Sequence, residues 1–108
     1  MATAYKVLGQ VEPAAATLTT LYTVPALTSA VCSTLSICNK GVSTQVRLAV
    51  RPAGVAIADT HYVVYNAVIS ANDTMFFTLG LTLATTDVVS IYADTADVTF
   101  NLFGAELT

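Results

Sequence analysis

Apolar residues in this sequence recur with a period of two. From residue 31 onward, β-branched and other apolar residues alternate with Thr, Ser, Asn and Gln in short runs, each bounded by Gly, Pro, Asn or Asp. Alternation at that period puts successive side chains on opposite faces of an extended strand. No stretch sustains the three-to-four spacing of a helix, so the pattern predicts an all-β fold with no helix longer than a turn or two. Val31, Leu35 and Ile37 are expected on one strand face, with Cys32, Thr34, Ser36 and Cys38 on the other. Val46, Leu48 and Val50 alternate with Gln45, Arg47 and Ala49 in the same way. Asn39-Lys40-Gly41 between them has turn chemistry, so these two strands are expected to pair as a hairpin.

Further along, Pro52 and Gly54 end the second of these strands. His61 to Tyr65 starts another, and Ser70-Ala71-Asn72-Asp73 is a turn. Met75, Phe77, Leu79 and Leu81 are expected to line the inner side of the next strand, followed by Val89 and Ile91, then by Val98, Phe100 and Leu102. Upstream, Ala4 to Val11 and Thr17 to Val24 complete a set of about eight antiparallel strands. The expected fold is a single-domain β-sandwich over residues 1–108, jelly-roll or immunoglobulin-like, with Met1 to Tyr5 left as an N-terminal arm.

Charge is scarce. Charged residues are 10% of the 108, and four Lys and Arg against seven Asp and Glu leave a net charge of −3. Four cations cannot form the basic face that phosphate neutralisation requires, so nucleic acid is not an expected partner. The uncharged stretch from Pro13 to Asn39 is broken by Thr and Ser at short intervals and contains no run long enough for a spanning helix, so no membrane is expected. Near the start, Lys6 is followed by Gly9, Gln10, Glu12 and Pro13, which is not the pattern of a secretory signal. Cys32 and Cys38 lie too far apart along one strand for a disulfide and lack zinc-site spacing; they read as small buried hydrophobes in a reducing compartment.

Catalytic chemistry has little to work with. The single His61 follows Asp59 by two residues, but no motif supplies a nucleophile, and a residue at the start of a strand, hydrogen-bonded to a loop, is the expectation. Asn72-Asp73 and Asp94-Thr95-Ala96-Asp97 have the residues that turns need, without the ligand pattern of a calcium loop. No enzyme activity, metal or cofactor is expected. The informative residues are apolar ones on the wrong face: Phe76, Val88, Tyr92 and Phe103 fall opposite the inward sets. Several outward apolar residues together mean either that loops cover both faces of these strands or that the outer face of one sheet is an interface with other subunits; the interface is the favoured reading, with Phe76, Tyr92 and Phe103 as the candidate contact residues.

Leu21-Tyr22-Thr23-Val24-Pro25, Ala30 to Asn39 and Arg47 to Gly54 resemble small β-sandwich structural proteins of tailed bacteriophage virions. Ala71-Asn72-Asp73-Thr74, Leu79 to Leu83, Asp87 to Tyr92 and Phe103 to Thr108 have the same cadence, so the resemblance runs from Lys6 onward. It rests on strand and turn signatures, not on a catalytic set. It implies a non-enzymatic head decoration or cement protein, made in the host cytoplasm, that sits as a homotrimer on the capsid surface and binds the major capsid protein. The alternative it leaves is a tail, baseplate or fibre component with receptor or glycan binding. The absence of Trp counts against sugar stacking.

Overall fold

The computed structural model describes residues 2 to 108, apart from the side chain of Leu79. Eight strands follow in chain order: β1 (Thr3–Val11), β2 (Thr19–Thr23), β3 (Ser29–Asn39), β4 (Thr44–Arg51), β5 (Tyr62–Ile69), β6 (Thr74–Leu83), β7 (Val88–Ala93) and β8 (Val98–Leu107). The only helical segments among the described residues are two single 3-10 turns, Pro52–Gly54 and Asp59–His61. Two antiparallel four-stranded sheets result. Sheet A has the order β1-β8-β3-β6, and sheet B the order β2-β7-β4-β5.

First pairs with last, second with seventh, third with sixth and fourth with fifth. A chain doubled over and then rolled into two sheets has these pairings, which are those of a jelly-roll. The immunoglobulin-like alternative is thereby excluded. So is the expected hairpin of β3 with β4, because β3 belongs to sheet A and β4 to sheet B. The turn after Asn39 carries the chain from one sheet to the other. Both strands have one apolar face, and facing strands across a sandwich satisfy that pattern as fully as neighbours in one sheet do.

The core is the set of inward faces. Leu35, Ile37, Phe100 and Leu102 from sheet A meet Val46, Leu48, Val89 and Ile91 from sheet B, all fully buried. Val98 is also inward, as are Met75, Phe77 and Leu81 at the β6 edge, as their alternation requires. Leu79, expected with them, lies outside the described side chains.

One strand breaks the expected parity. Between Cys32 and Thr34 the pairing of β3 with both β6 and β8 shifts register, with Ser33 at the irregularity. An extra residue in a strand reverses which face the following side chains occupy. Cys32 is therefore fully buried while Val31 is on the outer face, the reverse of the expectation, and Cys38 falls on the outer side, opposite to Cys32. The two thiols are free and on different faces. Burial pushes the Cys32 thiol up to about 11, which leaves it without nucleophilic thiolate at neutral pH.

The N-terminal arm is also corrected. Thr3, Ala4 and Tyr5 pair with Leu107, Glu106 and Ala105, and Ala2 exchanges backbone hydrogen bonds with Thr108. Residues 2 to 5 are thus integrated at the edge of sheet A, held by the end of β8; Met1 lies outside the described residues. Val88, opposite the inward set, is buried, and here cover by a loop is the alternative that holds. The segment after Pro52 folds back over this end of sheet B, where the Asp87 carboxylate accepts the Ala53 N–H at 2.9 Å. Arg51 fastens the same cover, donating from Nε to Ser90 Oγ at 3.2 Å and from a terminal nitrogen to the Val55 carbonyl at 3.1 Å.

Candidate functional site

The three candidate aromatics do not form one surface. Phe76 on β6 and Phe103 on β8 share the outer face of sheet A, whereas Tyr92 on β7 lies on the outer face of sheet B. Phe76 is 70% exposed and Phe103 37%. Between them runs β3, where Ser36 stands opposite Phe76 and Thr34 opposite Phe103.

On sheet A the register gathers a second set of apolar residues around Phe103. Val7 is its partner on β1, and in the next row Tyr5, Ala105 and Val31 stand side by side. Tyr5 is 86% exposed, and Val7 and Val31 are also exposed. Tyr5, Val31, Ser33, Phe103 and Ala105 border a shallow depression of about 420 Å³. The other outward strand positions include Thr3, Gln10, Ser29, Thr34, Ser36, Cys38, Thr74, Thr78, Thr82, Thr99, Asn101 and Leu107. None of these carries a charge, and the Lys40–Glu12 ion pair lies just beyond the ends of β3 and β1, so ion-pair desolvation opposes covering this face only at that end. The sequence pattern found Phe76 and Phe103. It does not reveal Tyr5 and Val7, whose face depends on pairing with β8, or Val31, whose face the β3 irregularity reverses.

A polar cluster closes the rim of this depression. Glu106 on β8 receives Lys6 Nζ at 2.8 Å and the Tyr22 hydroxyl at 2.5 Å. Because Tyr22 belongs to β2 in the other sheet, the carboxylate ties the two layers together. The hydrogen bonds from Lys6 and Tyr22 hold the Glu106 carboxyl below its usual range, against the opposing effect of desolvation. Burial, then the bond to Glu106, pushes the Tyr22 hydroxyl well above its usual range.

The two shifts give stability at opposite ends of the pH scale. The Glu106 contribution is complete above the unfolded carboxyl value of about 4.3 and is lost as pH falls through the lower folded value. The Tyr22 contribution is complete below about pH 10 and is lost as pH rises further. In Glu106→Gln the acid limb of a plot of Tm against pH is expected to flatten relative to the wild type. Parallel acid limbs in the two proteins would remove Glu106 as its source.

Tyr92 has a different setting. The Arg47 guanidinium lies over its ring at 4.3 Å and over the Tyr65 ring at 4.4 Å. Arg47 and Tyr92 are cross-strand partners, and Tyr65 and Asn66 occupy the register irregularity of β5 opposite Arg47. Tyr92 is thus half-buried in an intramolecular stack. His61 ends the 3-10 turn just before β5, which begins one residue later than expected, and its Nδ1 accepts the Ala58 N–H of the preceding loop at 3.0 Å. Among the described residues, no three His, Cys, Asp or Glu side chains gather as a metal site would require. No known family model matches the sequence, and no curated protein is significantly similar to it.

Proposed function

We propose that this protein is a non-enzymatic structural component of a tailed-phage virion, a decoration protein that docks on the capsid through the outer face of sheet A. The observation that carries this reading is the set of uncharged outer strand positions on sheet A, with Tyr5, Val7, Val31 and Phe103 contiguous and Phe76 across β3 from Phe103. An exposed cluster of this kind favours a protein partner over solvent. The sandwich behind it is rigid, since both sheets contribute fully buried rows to one core. A rigid body that covers a seam between coat subunits opposes their separation. The homotrimer implied by the resemblance belongs to the same proposal, because three linked copies raise the effective concentration of every contact after the first.

The test mixes purified protein with expanded heads that lack it and measures co-sedimentation and the temperature of DNA release. Saturable binding in fixed ratio to coat protein, with a raised release temperature, is the expected result. Phe103→Asp would put an unpaired carboxylate into the contact and is expected to weaken binding about 100-fold or more. Tyr92→Asp, on the other sheet, is expected to leave head binding unchanged. Failure to bind heads at any salt concentration, with binding to isolated tails instead, would overturn the capsid assignment in favour of the tail.

A further inference from the structure

The two ends of the sandwich differ in charge. At one end lie the β1–β2, β3–β4, β5–β6 and β7–β8 connections, which carry Glu12, Lys40, Asp73, Asp94 and Asp97. Four acids against one cation amount to −3, the whole net charge of the chain. At the other end, the β2–β3 loop, the β6–β7 turn and residues 52–58 after β4 carry one charged side chain, Asp87. Both of its oxygens are engaged, Oδ1 by the Ala53 N–H and Oδ2 by the Ala84 N–H, each at 2.9 Å. The eleven residues of β3 span about 33 Å at the usual rise of a strand, more than the second extent of 27 Å, so the two ends lie at opposite limits of the 44 Å long axis.

The uncharged end is a platform of three joined loops. On one side the β6–β7 turn is fastened to the β2–β3 loop, where the Val24 N–H donates to the Asp87 carbonyl and the Thr86 N–H to the Val24 carbonyl, both at 3.0 Å. Thr85 Oγ1 accepts the Thr28 N–H at 3.1 Å and donates to the Thr28 carbonyl at 2.7 Å. On its other side the turn holds Ala53 through Asp87. Aliphatic side chains stand exposed on this platform: Leu27, 92% exposed, on the β2–β3 loop, and Val55 and Ile57 on the segment after β4. Leu27 is also left-handed, with φ 56°, at a position that Gly or Asn would fill with less backbone strain. A side chain so exposed does nothing for the fold of a single copy, yet the loop bonds hold it at the surface.

We propose that copies of this chain associate through this end, with the loop tips meeting at the symmetry axis and the acidic ends pointing away from it. An uncharged aliphatic surface can face its own copy without a charge mismatch, as a closed homo-oligomer requires of the surface its subunits share. Covering it leaves no unpaired charge out of water. The arrangement also separates the acidic ends by far more than a Debye length of about 8 Å, whereas packing through the other end would set −3 against −3. A bilayer suits the platform less well. Loop backbone outside the sheets needs hydrogen-bond partners wherever it is covered, and hydrocarbon supplies none where a second copy does. The contact gives the homotrimer of the capsid reading an interface, and it rests on that reading only for the number three. It uses neither Phe103 nor the outer face of sheet A.

Sedimentation equilibrium of the intact protein tests this, at about 0.15 M and about 1 M salt, between which the Debye length falls from about 8 to 3 Å. Association that saturates at one closed oligomer and is not weakened by the higher salt is the expected result; a closed dimer would support the contact and remove only the number three. Leu27→Asn and Val55→Asp should each raise the concentration of half-association about tenfold or more. Asn suits the left-handed position, so the Tm of Leu27→Asn, compared at a dilution where the wild type is monomeric, should equal or exceed that of the wild type, which separates loss of the contact from loss of the fold. Phe103→Asp should weaken head binding and leave association unchanged, which separates a failure here from a failure of capsid docking. A wild type that stays monomeric at millimolar concentration, association that dissolves at the higher salt, or association indifferent to both loop substitutions would overturn the proposal.

Discussion

Asn39→Asp is expected to destabilise the protein by about 3 to 5 kcal/mol, the range for a buried charge left without its partner. Asn39 is 1% exposed at the point where β3 ends and the chain crosses to sheet B. Its Nδ2 faces three backbone carbonyls, donating to Val42 at 2.7 Å, Ser70 at 3.1 Å and Ile69 at 3.3 Å. Its Oδ1 accepts the Gly41 N–H at 3.0 Å. One amide thus organises the β3–β4 crossover and fastens it to the β5–β6 turn. A carboxylate in this place would confront carbonyl oxygens with a negative oxygen. A protonated Asp has a single O–H to offer where the amide offers two N–H groups.

The same geometry gives the variant a pH signature. Its carboxyl would be pushed up by burial and by the facing carbonyls, so the neutral form is the one the fold tolerates. Stability of Asn39→Asp should therefore decline as pH rises from about 4 toward neutrality, relative to the wild type. Asn39→Ala, which leaves carbonyls unpaired but adds no charge, should lose about 1 to 3 kcal/mol. Urea unfolding of both variants at several pH values measures the difference. Equal midpoints at neutral pH, with no pH trend for the Asp variant, would show that the site is wetter than its burial indicates.

Gly104→Ala is expected to cost about 3 kcal/mol or more, above the middle of the range for overpacking because backbone is what must move. Gly104 lies on β8, between Lys6 of β1 and Cys32 of β3, beside the irregularity at Ser33. A Cβ built there would collide with the Val31 carbonyl oxygen and lie 3.0 Å from the Cys32 Cα. Neither atom is the end of a flexible side chain, so relief requires that β3 and β8 separate. In an ordinary strand the change from Gly to Ala removes unfolded-state entropy and stabilises by a few tenths to about 1 kcal/mol. Gly80→Ala, where no atom of the described residues beyond its chain neighbours lies within 4 Å of the new atom, is the matched control and should be neutral or slightly stabilising. Thermal unfolding of the pair tests the claim. Similar Tm values for the two would show that β3 and β8 can part at Gly104 without loss of pairing.

These two sites show where legibility in the sequence ends. Asn39 and Gly41 read as a turn, and they form one, but the pattern could not say that the turn joins different sheets. Gly104 has no signal in the sequence, because its requirement comes from the backbone of Val31 and Cys32 in a strand far earlier in the chain. The candidate surfaces divide similarly. Phe76 and Phe103 stand opposite apolar inward residues and are outward for that local reason. Tyr5 is part of their face only because β1 pairs with the end of β8. Tyr92 meets Arg47 and Tyr65 because β4 lies between β7 and β5.

The all-β class, the strands, most inward rows and the scarcity of charge are legible in the residues alone, since alternation and turn chemistry act within a few residues of chain. Tertiary structure decided which strands are neighbours, the face of Val31 and Cys32, the pairing of residues 3 to 5, and the division of aromatics between two opposite surfaces. The physical reason is that a strand's apolar face states that it must be covered, not by what. Partner and register are fixed by hydrogen bonds between segments distant along the chain. A single-residue irregularity such as that at Ser33 then reverses a face while leaving the composition of the strand unchanged.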